Sequence, residues 1–134
     1  MSPFSEKEIE YLRARRLGRL ATLGTDGAPH VVPVGYQLSD DNVIELGGRG
    51  FATSKKWRDM QADQRVAFVV DDLAGTDPPT PRGVEIRGRA ELHAEGGEKL
   101  GPGRDPTWIQ IVPERIVAWG IDGAPYAPRG RSVR

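Results

Sequence analysis

The stretch Gly47-Gly48-Arg49-Gly50-Phe51-Ala52-Thr53-Ser54-Lys55-Lys56-Trp57 gathers glycines, hydroxyls and adjacent lysines at one point of the chain. A strand pattern, Val43-Ile44-Glu45-Leu46, runs into it, and a short helix pattern with Trp57 and Met60 three apart runs out. Glycine lets a backbone come close to a ligand. A helix N-terminus presents unpaired N–H groups at the positive end of its dipole. Thr53, Ser54, Lys55 and Lys56 add donors and positive charge at the same corner. This is the chemistry of an anion cradle, and the guest it suits is a phosphate, such as that of a nucleotide-like cofactor. The same residues also read as a glycine-rich turn with Thr53 as N-cap and two solvated lysines; residue types alone leave both readings open.

Other chemically capable residues are sparse. His30 and His93 are far apart and there is no cysteine, so no metal-ligand spacing is recognisable and disulfides are excluded. His93 falls on the polar face of its strand pattern and reads as solvated. Trp57, Trp108 and Trp119 could stack on a planar ring, yet each lies in an apolar pattern and reads as core or interface. Asp71-Asp72 closes a strand pattern and reads as a turn. Basic and acidic residues both number 19, so the net charge of zero argues against a nucleic-acid role resting on bulk charge. Met1-Ser2-Pro3-Phe4-Ser5-Glu6-Lys7-Glu8 lacks the apolar core of a signal peptide. No apolar run approaches the roughly 18 residues of a membrane span. The expectation is a soluble, cytoplasmic protein of one domain, residues 1–134.

A string of short elements must position the corner. Ser5 to Glu8 reads as a capping box with Phe4 and Ile9 as its staple, opening a helix from about Ser5 to Leu17 that Gly18 ends. Arg13, Arg15 and Arg16 cluster at its end, where positive charge suits the helix dipole. Arg19 to Leu23 is a strand, Asp26-Gly27 a hairpin signal, and Pro29 to Tyr36 a second strand. Pro33 and Gly35 mark an edge, a bulge or a place where a ligand lies on the backbone. Asn42 to Leu46 is a third strand, and the helix after the corner runs from about Ser54 to Ala62. Val66 to Val70 suits a strand covered on both faces. Asp72 to Arg82, with its prolines, reads as a surface loop. Gly83 to Glu95 alternates with period two and one wet face. Thr107 to Trp119 is a last long strand, and the basic tail Pro125 to Arg134 reads as mobile. The sum is mainly β: an antiparallel β-barrel of about six or seven strands with short helices. Such a barrel has little interior to spare, so a groove between two copies of the chain is the better place for a large cofactor.

In order and spacing the chain resembles the pyridoxamine 5′-phosphate oxidase-like family of FMN-binding-type split β-barrels, and within it the branch that uses the deazaflavin coenzyme F420. The resemblance is carried by Gly18-Arg19-Leu20-Ala21-Thr22-Leu23, by Gly27-Ala28-Pro29-His30-Val31-Val32-Pro33-Val34-Gly35, by Gly47-Gly48 and by Ser54-Lys55-Lys56. Arg65 to Asp72, Arg82 to Gly88 and Ile116 to Gly120 extend it over nearly the whole chain. The resemblance implies a homodimer with a cofactor in each groove between subunits, the phosphate on Ser54, Lys55 and Lys56. It lays the ring along His30, Val31, Val32, Pro33 and Val34 and along Leu46, Gly47 and Gly48. Flavin-using relatives often carry arginine and lysine where this chain has His30 and Gly35, which disfavours FMN as the alternative cofactor. The implied activity is hydride transfer from reduced F420 to an unsaturated small molecule. His30 and Tyr36 are the nearest candidates to donate a proton, although His30 also reads as a packing residue and Tyr36 as a surface aromatic. A flavin-dependent enzyme on the same scaffold, or a non-catalytic F420- or heme-binding protein, are the alternatives.

Overall fold

The computed structural model describes residues 2–133. Helix α1 spans Glu6–Arg13. Both halves of its capping box form: Ser5 Oγ accepts the Glu8 N–H, and the Glu8 carboxylate accepts the Ser5 N–H at 2.9 Å. The helix ends a turn earlier than its sequence suggests. Ala14 caps it, and Leu17 opens strand β1 (Leu17–Leu23) opposite Gly35 of β2 (Pro29–Gly35). A ladder partner there outweighs the helical period. The chain continues through β3 (Gln37–Leu38), β4 (Ile44–Gly47), a 3-10 turn at Phe51–Thr53 and helix α2 (Lys55–Ala62). Strands β5 (Arg65–Thr76), β6 (Pro79–His93), β7 (Trp108–Trp119) and β8 (Arg129–Ser132) complete it.

The strands lie in the order β2-β1-β5-β6-β7-β4-β3, with β8 beside β7. β2 and β3 stand at opposite ends of this order, yet only Tyr36 separates them along the chain. The antiparallel sheet therefore curls back on itself into a split barrel. β2 and β4 approach one another without a ladder between them, and that seam is the split. Leu20, Phe68, Ile86, Ile109 and Ile111 pack inside, joined by Leu12 of α1 and Met60 of α2. Ala67 and Val69 are only half-buried, so β5 has one covered face within a single chain rather than two. Among the described residues no helix is long and apolar enough to cross a membrane.

Three expectations are corrected. Asp72 to Arg82 is no loose loop: β5 and β6 run on as a paired hairpin to Thr76 and Pro79. β7 ends at the partner of Gly83, so β6 has no second neighbour beyond it, and prolines there cost no ladder bond. Nor is the tail free through Ser132, because β8 pairs with β7 from Arg129 to Ser132; Arg134 lies outside the described residues. Arg131 on β8 grips the buried Glu8 carboxylate at 2.5 and 3.0 Å, clasping α1 to the end of the chain. Finally, Asp71-Asp72 sits within β5, not in a turn. Gly88 marks a bulge between β6 and β7, where an added Cβ would lie 2.0 Å from the Val112 carbonyl oxygen.

Asp72 takes hydrogen bonds from Arg82 at 2.7 and 3.0 Å and from the Tyr11 hydroxyl at 2.7 Å. Arg82 holds this carboxyl well below the usual range; burial opposes the shift, while Tyr11 and the Arg15 charge add to it. The folded value lies below the unfolded one of about 4. The stability this carboxylate contributes is therefore full above about pH 4 and is lost as pH falls toward the folded value. Urea midpoints should drop between roughly pH 4 and pH 2.5 more steeply for the wild type than for Asp72→Asn. Parallel curves would remove Asp72 from the acid response.

Candidate functional site

α2 begins where the phosphate corner was expected, with Ser54 rather than Thr53 as its N-cap. Ser54 Oγ accepts the Trp57 N–H at 3.2 Å and donates to the Phe51 carbonyl at 2.7 Å. Among the described residues the backbone N–H groups of Lys55 and Lys56 have no acceptor, as befits a first helical turn. The glycine side of the corner differs from expectation. The Asp105 carboxylate accepts the N–H of Gly50 at 3.2 Å and of Ala52 at 3.0 Å, so the protein's own anion fills that part of the cradle. Gly50 adopts φ 65°, the left-handed conformation that this sharp entry demands. Ser54→Ala should cost about 1 kcal/mol of stability through the lost cap, read by thermal unfolding without cofactor. An unchanged midpoint would show that the cap is dispensable.

The two lysines are not equivalent. Lys55 Nζ bonds both oxygens of Asp59, one turn on, at 3.0 and 3.1 Å. Lys56 has no acidic partner among the described residues; it is half-buried, its Nζ lies 5.4 Å from the centre of the Phe51 ring, and burial pushes its pKa down. Asp59 is 4% exposed and also accepts from Thr22 Oγ1 at 2.8 Å. Burial alone would raise the Asp59 carboxyl, but hydrogen bonds from Lys55 and Thr22 and the nearby Lys55 and His30 charges outweigh it and hold it low. His30, opposite Thr22 in the β1–β2 ladder, places Nδ1 3.9 Å from Asp59 Oδ2, buried and without a hydrogen-bond partner. Thr22 and Asp59 were not singled out from sequence. The Lys55–Asp59 spacing of i,i+4 was the available signal for one of them.

The remaining expected residues border the seam. Tyr36 N–H bonds the Arg16 carbonyl, so the even-numbered residues of β2 point their N–H groups at β1. Pro29 and Pro33 fall on the odd positions, where no ladder bond is lost. The outward edge of β2 thus offers the Val31 N–H and C=O to whatever occupies the seam. Val31 and Pro33 are exposed, Val32 is half-buried, and the Val34 side chain points into the core. Leu46 is 1% exposed, so that residue can meet a ligand through its backbone alone. Gly47 and Gly48 stand at the opposite wall, Gly47 packed beneath Leu100 and Gly48 beside Arg104. Tyr36 is no surface aromatic. Its ring meets Phe68 edge-on, its hydroxyl donates to the Leu12 carbonyl at 2.5 Å, and burial pushes its pKa up to about 12. Its hydroxyl proton is thereby engaged by the Leu12 carbonyl. His93 is likewise not simply solvated: its ring stacks on Trp108 and Nε2 lies 3.0 Å from Gln110.

A split barrel with a cationic helix end and an open strand edge narrows the comparison to one class of fold. The family model of pyridoxamine 5′-phosphate oxidase matches residues 4–120, and the chain belongs to that family. It is 46% identical over 122 residues to a 5a,11a-dehydrotetracycline/5a,11a-dehydrooxytetracycline reductase of Streptomyces rimosus, covering 90% of this chain and 86% of the relative. The fold is shared with the conserved hypothetical protein Rv2991 of Mycobacterium tuberculosis, with TM-score 0.71, 27% identity and coverage of 87% and 84% of the two chains. It is also shared with an F420 reductase, with TM-score 0.65, 24% identity and coverage of 84% and 98%.

Proposed function

We propose that the chain is an F420-dependent oxidoreductase that reduces an unsaturated small molecule, working as a cytoplasmic homodimer. The observation that carries this is the Lys56 ammonium, without an acidic partner among the described residues, beside the first-turn N–H groups of Lys55 and Lys56, which have no acceptor among them either. These donors fit a phosphate. Lys56 and the backbone of Lys55 would hold it, while Lys55's own charge is spent on Asp59. The Val31 edge and the Gly47-Gly48 wall would orient the ring. When bound, the reduced deazaflavin supplies the hydride. His30, on the strand that edges the seam, is the residue placed to deliver a proton to the reduced acceptor, with Asp59 behind it. Leu17 and Val31 on the outward face are 53% and 64% exposed, an apolar surface that a second copy would cover. Support also comes from the reductase at 46% identity over most of both chains.

Fluorescence titration with F420 and with FMN tests the reading. F420 is expected to bind at least about tenfold more tightly, a difference of about 1.4 kcal/mol. Tighter FMN binding would sink the cofactor assignment, and F420 binding without turnover of any enone would leave a carrier rather than an enzyme.

A further inference from the structure

A second cationic place exists, away from Lys56. A cleft of about 360 Å³ opens between α1, the passage from β2 to β3 and the loop before β7. That is within the roughly 300–1,000 Å³ of small-molecule sites. Arg13, Arg15, Arg16 and Arg104 line it, with Tyr36 and Leu100 as apolar walls. Arg13 is committed to the carbonyls of Leu38 and Ser39 and to Asn42, and Arg15 to the Tyr11 carbonyl and Asp72. The Arg16 and Arg104 guanidiniums have no hydrogen-bond or ion-pair partner among the described residues.

This cleft borders the seam: it shares Gly35, Tyr36, Gln37, Leu100 and Arg104 with a small neck of space that reaches Gly47. The acid in that neck, Glu45, is 4% exposed and is already held by Gln37, Gln110 and Lys99. The cleft therefore presents net positive charge, with guanidiniums suited to planar bidentate oxyanions. It lies at the Gly35 end of β2, whereas His30, Asp59 and Lys55 stand at the other. Residues 30 to 35 of a strand span about 17 Å. One phosphate cannot serve both ends.

We propose that this cleft binds the anionic end of the acceptor, a carboxylate or an acidic enol oxygen, held by Arg16 and Arg104. The identity of the ligand as an acceptor rests on the function proposed above; the site as an oxyanion site does not. The carboxylate tail of a deazaflavin is a second source of the same chemistry. It departs from the phosphate, however, and so begins at the opposite end of the seam. Guanidiniums held against the acceptor once it binds would also stabilise negative charge that builds on its oxygen during reduction.

Phthalate, a planar aromatic dianion, is the probe, with neutral benzamide as control, at constant ionic strength. In the wild-type protein phthalate should shift the amide NMR signals of Gln37, Leu100 and Arg104, and benzamide should not. Arg16→Ala with Arg104→Ala should weaken phthalate by at least about tenfold, leave F420 affinity within about twofold, and raise KM for an anionic acceptor more than it lowers kcat. Unmoved cleft signals, or undiminished phthalate binding in the double variant, would overturn the site. A tenfold fall in F420 affinity that grows with the number of tail glutamates would overturn the acceptor assignment in favour of the tail. Wild-type protein that binds phthalate in the cleft but no F420 would support the oxyanion site while refuting the cofactor reading.

Discussion

Arg131→Ala should lower the unfolding free energy by about 3 kcal/mol, because it strands a charge in the interior. Glu8 is 1% exposed and depends on Arg131 for its charge partner. Losing one member of a buried pair typically costs about 3–5 kcal/mol. The Arg131 side chain is 39% exposed, so water already screens part of the interaction and the lower end of that range applies. Glu8→Gln removes the charge while keeping an oxygen for the Ser5 N–H of the capping box. The double variant should therefore recover at least half of the loss. A single variant that loses under about 0.5 kcal/mol in urea unfolding would show that the tail does not hold α1. The consequence reaches function, because α1 leads through its cap Ala14 to Arg15 and Arg16, and loosening the clasp loosens one wall of the basic cleft.

Lys56→Ala should weaken binding of the phosphorylated cofactor by about 1.5–3 kcal/mol, roughly tenfold to a hundredfold in Kd, if Lys56 makes a charge-assisted bond to phosphate. Lys55→Ala should behave differently. Its ammonium is bound to Asp59, so its removal leaves a buried carboxylate with Thr22 Oγ1 alone within hydrogen-bonding distance, and the principal loss is stability. The contrast is the informative part. Isothermal titration at matched salt, paired with urea unfolding of the cofactor-free variants, separates the two effects. An unchanged Kd in Lys56→Ala would take that residue out of the site, and equal losses of affinity in both variants would refute the division of labour.

The local signals were legible because they depend on neighbours in sequence. Ser5 and Glu8 specify their own cap, Gly83 to His93 alternates as a half-buried strand must, and Asp26-Gly27 turns the first hairpin. The strand-to-helix corner and its Ser54-Lys55-Lys56 run could likewise be read off the chain, while for Pro33 the sequence left edge, bulge and ligand contact open and the sheet order made it an edge position. What tertiary structure decided were partners distant along the chain. Asp105 filling the Gly50–Ala52 turn, Asp59 claiming Lys55 and leaving Lys56 free, and Arg131 reaching back to Glu8 all join separated segments. Charge pairing across such distances leaves no period or spacing behind, since it is set by which strands adjoin once the sheet has curled. For the same reason the arginines after α1 read as a helix-end cluster in sequence, and only the closed barrel sets Arg16 and Arg104 across one cleft.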